Sequence, residues 1–358
     1  MVGIEVQASV DRENAIYLTG ETFHLQVSLR NIVTTSNSLA WGCVQLHCDQ
    51  QLLRSVSAEE KAPKRADSVT SLNSGKTAIY SSKPTIIFCD VQLSPGEIYE
   101  YKSSFEIPPS YPPSFKGSFV KYSWYVTIAV QHVDAPFKML QLPLRVYNLT
   151  LPLDLPSDTS GNPFLASDTQ NVAVLDFARS AIDDATASRV HKQFNINNGT
   201  DIFATVVMFR QVFKLGDDIM CKIVFDNIDK LRCSVVTVRL ESVEDDPKNE
   251  QLAPQVVMHA VQYCVTMFMQ ECYCVLSIPG NAVPEFSTDA ARLRWRLHFE
   301  FLVSDGVPLG DKPGFSTVNK NVVCEKIPWD YYIQLYASNP FNVNLAFKQA
   351  SNSVTETV

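Results

Sequence analysis

The sequence predicts an all-β chain built as two tandem antiparallel β-sandwich domains, with a polar linker and little helix. Three observations predict it. Val, Ile, Thr and aromatic residues fall in short alternating runs between clusters of Gly, Pro, Asn and Asp, the pattern of strands and turns. Only Val172–Ile182 carries a convincing helical period. The remaining observation is that one pattern occurs twice.

Placing Gly20 on Gly216 lays Ile16-Tyr17-Leu18-Thr19-Gly20-Glu21 over Val212-Phe213-Lys214-Leu215-Gly216-Asp217 without a gap. The strands that follow run in phase: Phe23, Leu25, Val27 and Leu29 match Ile219, Cys221, Ile223 and Phe225, and Asn31 matches Asn227. Alternate strand residues share a face, so these positions predict equivalent buried faces. The glycine followed by an acid supplies the turn before each strand.

A second match closes each unit. Ile107-Pro108 falls on Ile278-Pro279, Pro113-x-Phe115 on Pro284-x-Phe286, and Trp124 on Trp295. The alternation agrees again, with Tyr122, Trp124, Val126 and Ile128 against Leu293, Trp295, Leu297 and Phe299. The landmarks lie further apart in the first unit. The excess is assigned to Ser55–Lys83, a polar stretch expected to form an exposed loop. The resulting division is a first sandwich over 1–150, a linker with a short helix over 151–190, a second sandwich over 191–337 and a flexible tail over 338–358.

Composition limits the function. Hydrophobic residues make up 46% of 358 residues, enough for two cores. The net charge of −8, with both signs scattered, argues against a nucleic-acid partner. The nine cysteines are odd in number, form no C-x-x-C, and sit in apolar runs such as Tyr263-Cys264-Val265. They read as small buried hydrophobes, so no metal and no cofactor is expected. No signal-peptide pattern and no apolar stretch of ~20 residues is seen, and the expected location is the cytosol. The sequons at Asn148 and Asn198 are then chance matches.

A search for chemistry yields little. Ser74-Gly75-Lys76-Thr77 lacks the earlier glycine of a phosphate loop, having Thr70 there, and no helix is predicted after it. The six histidines form no local metal-type pair, and there is no G-x-S-x-G. No catalytic residue is assigned. The acidic run Glu241, Glu244, Asp245, Asp246 and Glu250 reads as a solvated loop after a strand Val235–Leu240. The candidate partner surface is Arg292, Arg294, Arg296 and His298: alternation places them on one strand face opposite an apolar one. Guanidinium groups there suit carboxylates or phosphates of a protein or an anionic membrane.

Three segments carry a more specific resemblance: Lys83-Pro84-Thr85-Ile86-Ile87-Phe88-Cys89-Asp90, Pro113-Ser114-Phe115-Lys116-Gly117-Ser118-Phe119-Val120-Lys121-Tyr122 and Leu293-Arg294-Trp295-Arg296-Leu297-His298-Phe299-Glu300-Phe301. With Pro328-Trp329-Asp330, they resemble the Rgp family, the arrestin-like smaller subunit of the Ric–Rgp exchange complex. The resemblance implies arrestin-like sandwiches and a large Ric-type β-propeller partner. It also implies guanine nucleotide exchange on a Golgi Rab GTPase of the Rab-six class, in endosome-to-Golgi vesicle transport. The expected location becomes cytosolic with peripheral Golgi contact. An exchange subunit needs no acid, base or nucleophile, because it acts by preferring the nucleotide-free state. Two other readings stay open. One is an arrestin-type adaptor for cargo or a ubiquitin ligase, for which Pro108-Pro109-Ser110-Tyr111 supplies a P-P-x-Y match. The other is an enzyme with a site assembled between the two units.

Overall fold

A computed structural model describes residues 3–53, 75–133, 135–149, 170–199, 201–226, 231–249, 251–267, 269–305, 324–338 and 352–357. The first half contributes β1 (Ile4–Val10), β2 (Ile16–Leu18), β3 (Thr22–Asn31), β4 (Asn37–Leu52), β5 (Lys76–Ser81), β6 (Thr85–Leu93), β7 (Ile98–Glu106), β8 (Phe115–Lys116), β9 (Val120–His132) and β10 (Lys138–Tyr147). Among the described residues one helix follows, α1 (Gln170–Ala187). The second half contributes β11 (Lys192–Asn197), β12 (Ile202–Met208), β13 (Val212–Lys214), β14 (Asp218–Phe225), β15 (Leu231–Asp245), β16 (Gln255–Val265), β17 (Glu271–Ser277), β18 (Phe286–Ser287), β19 (Arg292–Asp305) and β20 (Cys324–Tyr336). A last strand, β21 (Ser353–Thr357), closes the chain.

The described strands form four sheets, two per half. Orders β21-β1-β3-β7 and β2-β10-β9-β4-β5 in the first half correspond to β11-β12-β14-β17 and β13-β20-β19-β15-β16 in the second. Among the described strands all ladders are antiparallel except the short β2–β10 and β13–β20 pairs, which are parallel in both halves. The sequence repeat is therefore a structural repeat. Gly20 and Gly216 both take a left-handed turn, at φ +86° and +87°, a backbone that glycine adopts without a Cβ clash. Ile107 N–H donates to Glu21 O and Ile278 N–H to Asp217 O, each at 2.9 Å. The indole of Trp124 donates to Pro112 O and that of Trp295 to Val283 O, at 2.9 and 3.0 Å. Each tryptophan is buried in its half and still satisfies its one donor.

Alternation sets the cores. Ile4, Val6 and Ala8 of β1 meet Leu25, Val27 and Leu29 of β3 inside the first sandwich. Ile219, Cys221 and Ile223 face Val236, Val238 and Leu240 inside the second. Ile16, Leu18 and Tyr147 of the first half join the second core.

Several expectations change. β5 forms an edge strand inside the stretch read as a loop; residues 54–74 of that stretch lie outside the described residues. Lys76 and Thr77 open β5, in line with the extended run expected after Gly75. The tail expected to fray instead places Ser353–Thr357 antiparallel on β1. An open sheet edge offers unpaired N–H and C=O groups, and the tail satisfies them. In the second half β11 occupies the equivalent position on β12. The linker segment 151–169 lies outside the described residues, whereas α1 covers the expected helix and extends it.

Candidate partner interface

Arg292, Arg294, Arg296 and His298 do share the outer face of β19, with Leu293, Trp295, Leu297 and Phe299 buried behind them. The face is a lattice of both signs. Arg292 pairs with Asp245, and Arg294 reaches the same carboxylate at 3.3 Å. Arg296 donates to Glu241 at 2.8 Å and to Asp330 at 2.8 Å, and His298 Nδ1 lies 2.6 Å from Asp330. Further along, Lys326 and Arg239 flank Glu300 at 2.9 and 3.9 Å. The structure thus brings the four predicted residues together, along with acids from β15 and β20 that the sequence did not place there. Tyr125, at the repeat position of Arg296, donates to Asp49 of β4 in the same way.

The acidic run is not a solvated loop, and that expectation is corrected. Glu241, Glu244 and Asp245 belong to β15, and Glu241, Glu244 and Asp246 are buried; Glu250 lies outside the described residues. The physical reason is pairing, since a carboxylate is retained inside only where donors meet it. Glu241 has Arg296, and Glu244 accepts from the backbone N–H groups of Ser118 and Phe119 at 2.6 and 3.0 Å.

Those two bonds cross between the halves, where the repeated motifs meet each other. Phe115 packs edge-on against Phe286 at 4.9 Å, within a cluster holding Val120, Tyr122, Ala291 and Leu293. Each residue touches the region of its own repeat equivalent, a self-complementary contact like that of a two-fold dimer. Tyr122 Oη and Thr288 Oγ1 are 2.8 Å apart, Arg145 donates to Asn281 O at 2.6 Å, and Asn148 to Glu285 O at 3.0 Å. Gly117 permits the seam: a Cβ there would fall 2.3 Å from the Glu244 carboxylate. Helix α1 brackets the halves, its Arg179 on buried Glu21 beside Arg12, and its Asp183 on Lys214 at 2.7 Å.

A cleft of ≈ 720 Å³ opens beside the seam, lined in part by Tyr111, Asn148, Glu285, Phe286, Arg292 and Arg294. Burial pushes the Glu285 carboxyl up to about 7. Among the described residues its lining holds no histidine, lysine or cysteine. Tyr111, the tyrosine of the P-P-x-Y match, packs 4.9 Å from Tyr80 and edge-on to Trp124. Its ring is engaged with the first core.

The feature that sequence reasoning missed is apolar. β16 is the outer strand of its sheet, and β17 is the outer strand of the facing sheet. Val256, Val257, Met258, Tyr263 and Val265 of β16, with Tyr273 and Val275 of β17, are exposed, Tyr263 and Val265 by 67% and 70%. Exposed apolar clusters on an unpaired edge mark association surfaces. The run Val256-Val257-Met258 broke the expected alternation and was the available signal.

The Rgp1 family model matches residues 8–150 and 157–304. The chain is 30% identical over 378 aligned positions to the bovine (Bos taurus) "RAB6A-GEF complex partner protein 2", covering 94% of this chain and 95% of that protein. It is 29% identical over 387 positions to the human (Homo sapiens) protein of the same name, covering 98% and 99%.

Proposed function

The chain belongs to the Rgp1 family, and from that premise we propose that it is the partner subunit of a guanine nucleotide exchange complex acting on a Rab GTPase of the Rab-six class. The observation that carries this reading is the full-length similarity to relatives named as partners in such a complex. The halves act as domains over 1–150 and 191–337, joined through 151–190. The larger partner is a Ric-type β-propeller subunit, and the assembly works at Golgi membranes in endosome-to-Golgi transport. This chain contributes binding surface and no catalytic group: exchange requires only that the complex hold the nucleotide-free GTPase more tightly than the loaded one.

The apolar edge of β16 and β17 is the surface proposed for the large subunit, because a permanent partner covers apolar area. The Arg292–Arg294 end, where two guanidinium groups share Asp245, is the site proposed for an acidic patch of the GTPase. The charged lattice further along is internally matched and serves mainly to set orientation.

The test is release of a fluorescent GDP analogue from the GTPase, using this chain, its co-purified large partner and the complex. Fast release by the complex alone supports the reading. A stable complex that leaves release at the spontaneous rate overturns it.

A further inference from the structure

The second sandwich gathers thiols where its two sheets open. Cys272 and Cys274, two apart on β17, both point inward, and Cys264 of β16 reaches them from the facing sheet. The three Sγ atoms all lie within 4.8 Å of one another, with Cys264 and Cys274 at 3.5 Å. Cys221 stands directly opposite Cys274 in the β14–β17 ladder and is buried beside it. Small hydrophobes filling a core have no reason to meet sulfur to sulfur from separate sheets. Tetrahedral zinc with Zn–S bonds of about 2.3 Å puts its sulfurs about 3.8 Å apart, close to the 3.5 Å between Cys264 and Cys274 and inside the 4.8 Å that contains all three.

We propose that Cys264, Cys272 and Cys274 form a zinc site, with solvent in the fourth position. Each thiol that binds gives its proton to solvent, and the thiolates form the bonds to the ion without any change of oxidation state. The spacing gives no clue in sequence, because β16 brings Cys264 to β17 only through sheet packing. The ion pins the two outer strands together at the open side of the sandwich. Cys264 lies between Tyr263 and Val265, so the pin also fixes the exposed apolar edge. The inference rests on the thiol geometry alone and stands or falls independently of the exchange reading.

The experiment uses the full chain, purified under reducing, low-metal conditions and dialysed against a weak chelator. Zinc is counted by mass spectrometry, then replaced by Co²⁺ to read thiolate-to-cobalt charge transfer and tetrahedral bands. About one zinc per chain and a tetrahedral cobalt spectrum with thiolate charge transfer are expected. Cys264→Ser and the double variant Cys272→Ser/Cys274→Ser should lose both, whereas the exposed Cys89→Ser and Cys324→Ser keep both. Should the double variant fail to fold, the cobalt spectrum of the native chain and the half-exposed Cys264→Ser still decide. The proposal is overturned by a reduced native chain that takes up neither ion. It is equally overturned by zinc that persists in the variants (an adventitious ion only), or by a Cys264–Cys274 disulfide in anaerobically prepared chain that binds no metal once reduced.

Discussion

The two halves share a skeleton and differ in what they show to solvent. Both keep the glycine turn, the short parallel pair and the tryptophan whose indole donates to a carbonyl near the start of the closing strands. The first half surrounds that skeleton with polar contacts: His47 stacks on Tyr125 at 5.2 Å, and Tyr125 donates to Asp49. The second half carries the charged lattice, the thiol cluster and the apolar outer strands. The repeat preserves what folds a sandwich, while the surfaces of the two copies diverge, because surface positions tolerate change at little cost in stability.

The sharpest test of the shared skeleton is to remove both tryptophans in turn. Trp124→Ala and Trp295→Ala should each cost about 3–5 kcal/mol in denaturant unfolding. Near-equal losses sustain the equivalence, and a loss confined to one half would break it.

Next comes the seam that joins the copies. Glu244→Ala leaves the Ser118 and Phe119 N–H groups without their acceptor and should cost about 1–3 kcal/mol. Gly117→Ala, which drives a Cβ into the same carboxylate, should produce a similar loss. Limited proteolysis between the halves, read beside the unfolding curve, shows whether the loss lies at the seam.

A pH-dependent effect separates Glu285 from Ser114, which holds its place in the repeat. Burial raises the folded-state value of Glu285 from the ordinary 4.5 to about 7. Between those values the folded chain holds more protons than the unfolded one, so this group's contribution to stability falls as pH rises through the window. The cost is complete above pH 7 and absent below 4.5. Glu285→Gln should therefore flatten the pH dependence and stabilise the chain at mildly alkaline pH, while Ser114→Ala leaves the slope unchanged. Thermal unfolding across the window checks both.

The smallest stability effect is expected on the charged face, where Arg292→Ala should cost no more than about 1 kcal/mol, since exposed pairs contribute little. Its effect belongs to partner binding: Arg292→Glu/Arg294→Glu should slow association with the GTPase in a salt-dependent way, read by stopped-flow. Val257→Asp/Val265→Asp should leave unfolding unchanged and abolish co-purification with the large subunit.

The sequence by itself determined the all-β class, the duplicated unit, the position of α1 and the shared face of Arg292, Arg294, Arg296 and His298. Each follows from local periodicity: alternation, turn residues and a helical repeat are properties of neighbouring residues. It also carried the family, through idiosyncratic segments that no periodicity produces. Only the tertiary structure decided which charges neutralise the arginine ladder, why Glu241 and Glu244 are buried, and that Ser353–Thr357 returns to β1. It alone also shows that Cys264 reaches Cys272 and Cys274. These depend on partners brought together across sheets by long-range pairing, and a run of acids reads identically whether it faces water or a guanidinium from the next strand.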